Sequence, residues 1–479
     1  MCGGVRSNFG ARALRGMKKF GARALWLVST TAIAVAVGCG DAQQIDDATG
    51  GAGGARAGGG GAGPGVSAGG VSSAAGASNG SASGGSALGG APPGGASGGA
   101  EFGGAAPSGG APTSGNAGAR GAIGGAAGAP AASNGAPEFS PTGYGQATTG
   151  GGKAKAIVVT SLAAMKAAVD AYSGAGGLVL QYAGKFDFAT IKDPCVQHTL
   201  PAQTLEIKNK SDVSIVGEDG SAANFGIRVV GDSRNVIIRN MTIGLAPGAD
   251  ASDLISIEGG SAGFPSNVWV DHNELFTSMA ECAGAGDTAF DGMIDVKKGA
   301  DNVTVSYNYM HDHHKMSLNG YSDDDSAVRH ITFHHNLFEN VGSRTPLQRH
   351  GYSHLLNNYF LKVLTSGINV RMGGFSLVEA NYFEDVKNPV TSRDSSAVGF
   401  WDLRSNNLAG IADVTDGNAF KITWDSGNSG TVNATAWKTT AAFPVALGYT
   451  YHADSFECVH LGLRAVVGAG KGLATLKCQ

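Results

Sequence analysis

Two arginines five residues apart bracket a proline in Arg344-Thr345-Pro346-Leu347-Gln348-Arg349, and His350-Gly351-Tyr352-Ser353-His354 follows directly. A lone lysine, Lys315, lies upstream, and beyond it runs Asp287-Thr288-Ala289-Phe290-Asp291-Gly292-Met293-Ile294-Asp295. Further upstream is Asp250-Ala251-Ser252-Asp253. Guanidinium and ammonium groups hold carboxylates, the first as a bidentate fork and the second as a point charge. Grouped aspartates suit a hard cation such as Ca²⁺, which takes about six to eight oxygens. Taken singly, each of these residues is more often a solvated surface group. In a straight strand Asp291 and Asp295 would stand about 13 Å apart, so one ion needs a bend between them, which Gly292 permits.

The elements that must position these residues form a repeat. Apolar β-formers, usually followed by asparagine, recur as Asp212-Val213-Ser214-Ile215-Val216, Asn235-Val236-Ile237-Ile238-Arg239-Asn240 and Asn267-Val268-Trp269-Val270-Asp271-His272-Asn273. The pattern returns in Asn302-Val303-Thr304-Val305-Ser306-Tyr307-Asn308, His330-Ile331-Thr332-Phe333-His334-His335-Asn336, His354-Leu355-Leu356-Asn357-Asn358 and Leu377-Val378-Glu379-Ala380-Asn381. Intervals of roughly 22 to 35 residues are those of a solenoid. Most units alternate with the period of a half-buried strand, and no amphipathic helices separate them. Short strands stacked in parallel coils satisfy both facts, so the fold expected is an all-β parallel β-helix rather than a sandwich. The asparagine after each strand fits a tight bend, where its amide bonds to neighbouring rungs or tolerates left-handed backbone. Solenoid ends need covering: Leu162, Met165 and Val169, after the N-cap candidate Ser161, predict a cap helix. After Trp401 the repeat fades, and the segment with Trp424, Trp437, Cys458 and Cys478 is expected to fold back along the coil.

The remainder of the chain is of another kind. Arg6, Arg12, Arg15, Lys18, Lys19 and Arg23 precede the apolar run Ala24 to Val37, which reads as a cleaved export signal rather than a membrane span. Ala36-Val37-Gly38-Cys39 looks like a bacterial lipobox, with Cys39 as the lipidated residue, although Ala36 stands where leucine is usual. Met17-Lys18-Lys19 would make a more usual signal start than Met1. From Asp41 to Gly152 nearly every residue is Gly, Ala, Ser or Pro, a composition that cannot offset the entropy of ordering it. Residues 1–39 are thus expected to be a leader, 40–152 a flexible tether, and 153–479 a single large domain. Such a chain is secreted or displayed at the cell surface, as an outer-membrane lipoprotein if Cys39 carries lipid.

Cys195, Cys282, Cys458 and Cys478 remain for the domain, and in an exported protein four cysteines suggest two disulfides, with three pairings open. Chain order favours Cys195 with Cys282 and Cys458 with Cys478. The chain's formal charge is −4; without the leader's six positive charges it becomes −10. A globally acidic protein is a poor generic binder of polyanions, nucleic acid included, so an acidic substrate needs locally placed cations.

The domain resembles the pectate lyases of polysaccharide lyase family one. Val268-Trp269-Val270-Asp271-His272, the Arg-x-Pro-x-x-Arg segment from Arg344 to Arg349, and Asn388-Pro389-Val390-Thr391-Ser392-Arg393 carry the resemblance, with Gly472-Leu473-Ala474-Thr475-Leu476 as a weaker likeness. The resemblance implies a right-handed coil and Ca²⁺-dependent β-elimination of polygalacturonate by a monomer. It makes Asp253, Asp291 and Asp295 the Ca²⁺ ligands, Arg344 the base that takes the C5 proton, and Lys315 and Arg349 the holders of substrate carboxylates. Arginine is ordinarily protonated; the family works at alkaline pH, with neighbouring cations easing the neutral form. Two departures stand out: Ala251 where the family has the first Asp of an Asp-x-Asp pair, and Asp291 where many relatives have Glu.

Pectin lyase, acting on methylated substrate, would lack these aspartates, and a polygalacturonase would need paired aspartates with a Gly-His-Gly segment. A non-catalytic glycan-binding β-helix is disfavoured by Arg344, Lys315 and Arg349 together. His311, His313 and His314 lack the partners of a zinc site, His334-His335 suits packing, and Asp271-His272 suits a structural role. Gly65-Val66-Ser67-Ala68-Gly69 matches a serine-hydrolase elbow by composition alone.

Overall fold

A computed structural model describes residues 141–248, 253–408, 418–425 and 437–478. Among these residues the strands form three parallel sheets of ten, seven and eight strands. One coil shows the route: Arg234–Arg239 lies in the ten-stranded sheet, Thr242–Gly244 in the seven-stranded, Ile255–Glu258 in the eight-stranded, and Ser266–Asp271 back in the ten-stranded. Register keeps like positions in columns, Val236 beside Val268 and Val268 beside Val303. The fold is a right-handed parallel β-helix.

Alternation along each strand sends one set of side chains inward. Val236, Ile238, Val268, Val270, Val303 and Val305 are fully buried in one continuous core. In the seven-stranded sheet the column Phe338, Phe360, Phe383 stacks ring on ring at 4.8 and 4.6 Å. The N-terminal end is covered by α1 (Leu162–Ala171), whose Met165 and Val169 enter that core and whose first turn is capped by Ser161.

The bend after each strand of the ten-stranded sheet from Ser266–Asp271 to Phe400–Arg404 uses two adjacent residues for two jobs. The first takes left-handed backbone: His272, Tyr307, His335, Asn357, Ala380 and Ser405 all have φ near +50°. Next to each, and turned inward, is an asparagine. Asn308 Oδ1 accepts from Asn273 N and Nδ2 (both 2.9 Å), Asn336 Oδ1 from Asn308 (both 3.0 Å), and Asn358 Oδ1 from Asn336 (3.0 and 2.9 Å). The series runs on through Asn381 to Asn406. The repeated asparagine therefore bonds between rungs, and the residue before it bears the left-handed geometry. That first column also stacks outside, His272 on Tyr307 and Tyr307 on His335, each at 4.8 Å.

At both ends of the described domain the chain runs lengthwise over the coil. Residues 141–152, ahead of Lys153 where the domain was expected to start, pack on it. Backbone N–H groups of this glycine-rich stretch donate to side chains one coil after another: Tyr144 to Thr332 (3.1 Å), Gly145 to Thr304 (2.9 Å), Gly150 to Asn235 (2.8 Å) and Gly151 to Ser214 (2.9 Å). A Cβ on Gly151 would fall 2.3 Å from the Leu178 carbonyl, so close approach requires glycine there. At the other end, residues 437–478 return along the coil as expected. Asp454 meets His335, α3 (Phe456–Val466) covers the seven-stranded sheet, and Gly470 reaches Asn240. Cys195 is bonded to Cys282 and Cys458 to Cys478, the pairs that chain order favoured.

Replacing Asn336 by Ala leaves buried donors of Asn308 without acceptors. We expect a loss of about 3 kcal/mol, read as a lower urea midpoint with unchanged slope. An unmoved midpoint would mean that the ladder contributes nothing net.

Candidate active site and metal centre

The chemistry-bearing residues gather where the seven-stranded sheet bends into the eight-stranded one, and backbone bonds fix their order. Leu254 N donates to Gly292 O (3.0 Å), Met293 N to Met316 O (2.7 Å) and Met316 N to Ser343 O (3.0 Å). The residues beside these, Asp253, Asp291, Lys315 and Arg344, therefore occupy successive rungs about 4.8 Å apart.

Asp253, Asp291 and Asp295 each place a carboxylate oxygen within 4.8 Å of the others. The bend expected at Gly292 is present, and glycine has a second use there. A Cβ on it would sit 2.2 Å from Asp295 Oδ1, while its N–H donates to Asp253 Oδ1 (3.1 Å). Asp295 Oδ1 also accepts from Leu318 N (2.9 Å), one rung on. Burial, then the charges of Asp253 and Asp295, push the Asp291 carboxyl up to about 8. Burial and Asp253 push Asp295 up to about 7. Lys297 partly relieves the repulsion, with Nζ 2.6 Å from Asp253 and 3.2 Å from Asp295. A buried, under-compensated trio of hard oxygens with one cation already drawn into it fits Ca²⁺, which would complete its shell with water or substrate oxygens. Asp250 and Ala251 lie outside the described residues, as does Cys39.

Lys315 ends the strand Tyr309–Lys315, and its Nζ is 3.4 Å from Asp287. Its carbonyl is held by His313 Nε2 (2.8 Å), whose other nitrogen meets Thr277 Oγ1 (2.6 Å). Burial pushes His313 down to about 3, so the ring is neutral and acts as a brace. Arg344 follows the strand Leu337–Ser343 with φ +65°, and its carbonyl accepts from Ser317 N (2.9 Å). A non-glycine residue in that conformation costs about 1–2 kcal/mol, offset by the rungs on either side.

Arg349 ends the next strand of the eight-stranded sheet. Its Nε donates to Asp323 Oδ1 (2.9 Å) and a terminal nitrogen to Gly320 O (3.2 Å), while Asp323 Oδ2 accepts from Ser396 (2.8 Å). Burial pushes Asp323 up, but Ser396 and Arg349 outweigh it and hold the carboxyl below its ordinary range. By register Arg349 stands beside Arg371, and on the other side Gly320 separates it from Lys297. This column of cations is the local positive charge that an acidic chain needs to hold a polyanion.

Lys297 and Asp323 escaped the sequence reading, and His313 was weighed there only as a zinc ligand. Lys297 had a signal, since Asp295-Val296-Lys297 in a strand puts acid and lysine on one face. Asp323 had none, and nothing marked His313 as a brace. Asp271 and His272 lie at a different bend, between the ten- and seven-stranded sheets. Asp271 is buried against Arg239 (2.9 Å), His272 (2.9 Å) and Ser306 (2.6 Å), a structural cluster as expected.

The family model described as pectate lyase matches residues 104–472. The chain belongs to the pectate lyase family. Pectate lyase 2 of Pectobacterium carotovorum is 40% identical over 361 residues, 71% of this chain and 94% of that one. Pectate lyase II of Xanthomonas campestris is 55% identical, with a TM-score of 0.65 over 70% of this chain and all of that one. Pectate lyase C of Erwinia chrysanthemi, solved at pH 9.5 with 30 mM Ca²⁺, is 38% identical, with a TM-score of 0.64 over 71% of this chain and 99% of that one. Pectate lyases are polysaccharide lyases, and that is the enzyme class of this chain.

The acid cluster predicts how metal-free stability follows pH. Asp291 and Asp295 keep their protons in the fold to higher pH than in the unfolded chain. Their contribution is complete below about pH 4 and lost as pH rises through about 8. In EGTA the melting temperature should fall between about pH 5 and about pH 9, and Asp291→Asn should flatten the fall. A flat wild-type profile would contradict the mutual repulsion.

Proposed function

We propose that the chain cleaves polygalacturonate by Ca²⁺-dependent β-elimination. The observation that carries this is the order of residues along one bend: an acid trio, then Lys315, then Arg344, with Arg349 beyond. The Ca²⁺-containing structure of pectate lyase C, and a complex of a variant of that enzyme with pentagalacturonic acid, support both halves of the reading.

Each sugar of the substrate carries a carboxylate next to the C5 proton. Lys315 and Arg349 hold substrate carboxylates, which fixes the reacting sugar against Arg344. Arg344, in its neutral form, takes the C5 proton; electrons form the C4–C5 double bond and the bond from C4 to the glycosidic oxygen breaks. That oxygen leaves on the other product and takes its proton from solvent. When bound by Asp253, Asp291 and Asp295, Ca²⁺ supplies Lewis-acid stabilisation of the negative charge that develops beside the carboxylate. Asp287 pairs with Lys315 and Asp323 with Arg349, which restricts both cations before substrate arrives. The reading places the enzyme outside the cell, tethered through Cys39 and its glycine-rich spacer, in keeping with two disulfides.

Incubation with polygalacturonate at alkaline pH should raise ultraviolet absorbance from unsaturated uronide, and EGTA should abolish the rise. Arg344→Ala should lower kcat by about 10²- to 10⁴-fold while polygalacturonate binding persists. A rise on methylated pectin alone, indifferent to EGTA, would move the activity to pectin lyase.

A further inference from the structure

Two stretches outside the repeat meet beside the acid trio. Residues 183–203 leave the coil between Leu178–Tyr182 and Thr204–Lys208 and contain the short helix α2 (Pro194–Gln197). Residues 277–293 join Glu274–Phe276 to Ile294–Lys297 without a strand and carry Asp287 and Asp291. The Cys195–Cys282 bond links them inside an apolar cluster of Leu245, Cys282, Ala289 and Phe290, flanked by Phe188 and Cys195. That cluster is separate from the main core.

From the crosslink, a run of turns leads to the acids. Cys282 O accepts from Ala285 N and Gly286 N (3.0 and 2.7 Å), and Ala285 O accepts from Thr288 N and Oγ1 (3.0 and 2.7 Å). Asp287 lies within this turned piece, and the buried pair Ala289 and Phe290 leads straight to Asp291. On the opposite side Gln197 Nε2 donates to Leu245 O (3.1 Å) and His198 O accepts from Gly248 N (3.3 Å), while the His198 ring meets Phe290 edge-on at 6.1 Å. Leu245 and Gly248 stand on the chain leading to Asp253.

Asp295 is the one member of the trio that a strand holds. The other two sit in irregular chain, Asp253 ahead of Ile255–Glu258 and Asp291 ahead of Ile294–Lys297. We propose that the Cys195–Cys282 crosslink and its apolar cluster form a strut that positions Asp253 and Asp291 and thereby sets the affinity for Ca²⁺. The proposal rests on the Ca²⁺ reading above. Without the strut, each binding event must order both segments afresh, and affinity falls by the entropy of doing so.

Calorimetric titration of the full chain with CaCl₂ tests it. The Cys195→Ser/Cys282→Ser variant should bind Ca²⁺ about tenfold to a hundredfold more weakly, the range for lost supporting contacts. Phe290→Ala, with the crosslink intact, should shift affinity in the same direction. Cys458→Ser/Cys478→Ser is the control. Both crosslink variants lose melting temperature, but only the first should lose Ca²⁺ affinity and the Ca²⁺-induced rise in melting temperature at low Ca²⁺. An equal loss in the control overturns the strut, because general loosening then explains it. Wild-type binding with an unmoved Cys195→Ser/Cys282→Ser variant overturns the strut alone. A wild-type chain that binds no Ca²⁺ overturns the metal centre and the strut together.

Discussion

Parallel strands keep their hydrogen bonds only at a spacing of about 4.8 Å, and in this chain that distance is the unit from which the site is assembled. Met293, Met316 and Ser343 are far apart in sequence, yet each bonds to the next across one rung. A lysine, an arginine and three carboxylates thus reach separations that the backbone rungs set. The asparagine ladder at the neighbouring bend protects the same spacing, since each amide bridges two rungs at about 3 Å.

Charge is placed against its own preference in this frame. Three carboxylates share a buried corner with Lys297, and the two cations expected to hold substrate are each already matched by an acid, Lys315 by Asp287 and Arg349 by Asp323. These pairs reconcile an overall negative chain with a polyanionic substrate.

Much of this was legible in the sequence, for reasons that differ by residue. Burial of one strand face forces alternation, so Val268, Val303 and Ile331 announce the coil. Inter-rung bonding forces asparagine, so Asn308 and Asn336 announce the bend. Arg344, Lys315 and the aspartates were legible as a set, and their roles came through family resemblance. Asp323 was silent, and the bracing role of His313 unreadable, because a partner reached across a rung leaves no spacing rule in the chain. The packing of residues 141–152 was hidden by composition: glycines that lie flat against hydroxyls look like glycines of a tether.

Those glycines have a mechanical meaning. A bare solenoid is held by nearest-neighbour contacts and can fray one coil at a time. Here the segment from residue 143 to 151 binds Thr332, Thr304, Asn235 and Ser214 in turn, and the returning C-terminal chain binds Thr332, His335 and Asn240 in the same sense. The two meet where Tyr144 packs on Tyr449 at 5.3 Å and Gln146 donates to Gly448 O at 2.9 Å. They work like rebar through stacked slabs, so that no coil along their length can open without loosening its distant neighbours. A linear array becomes a single melting unit.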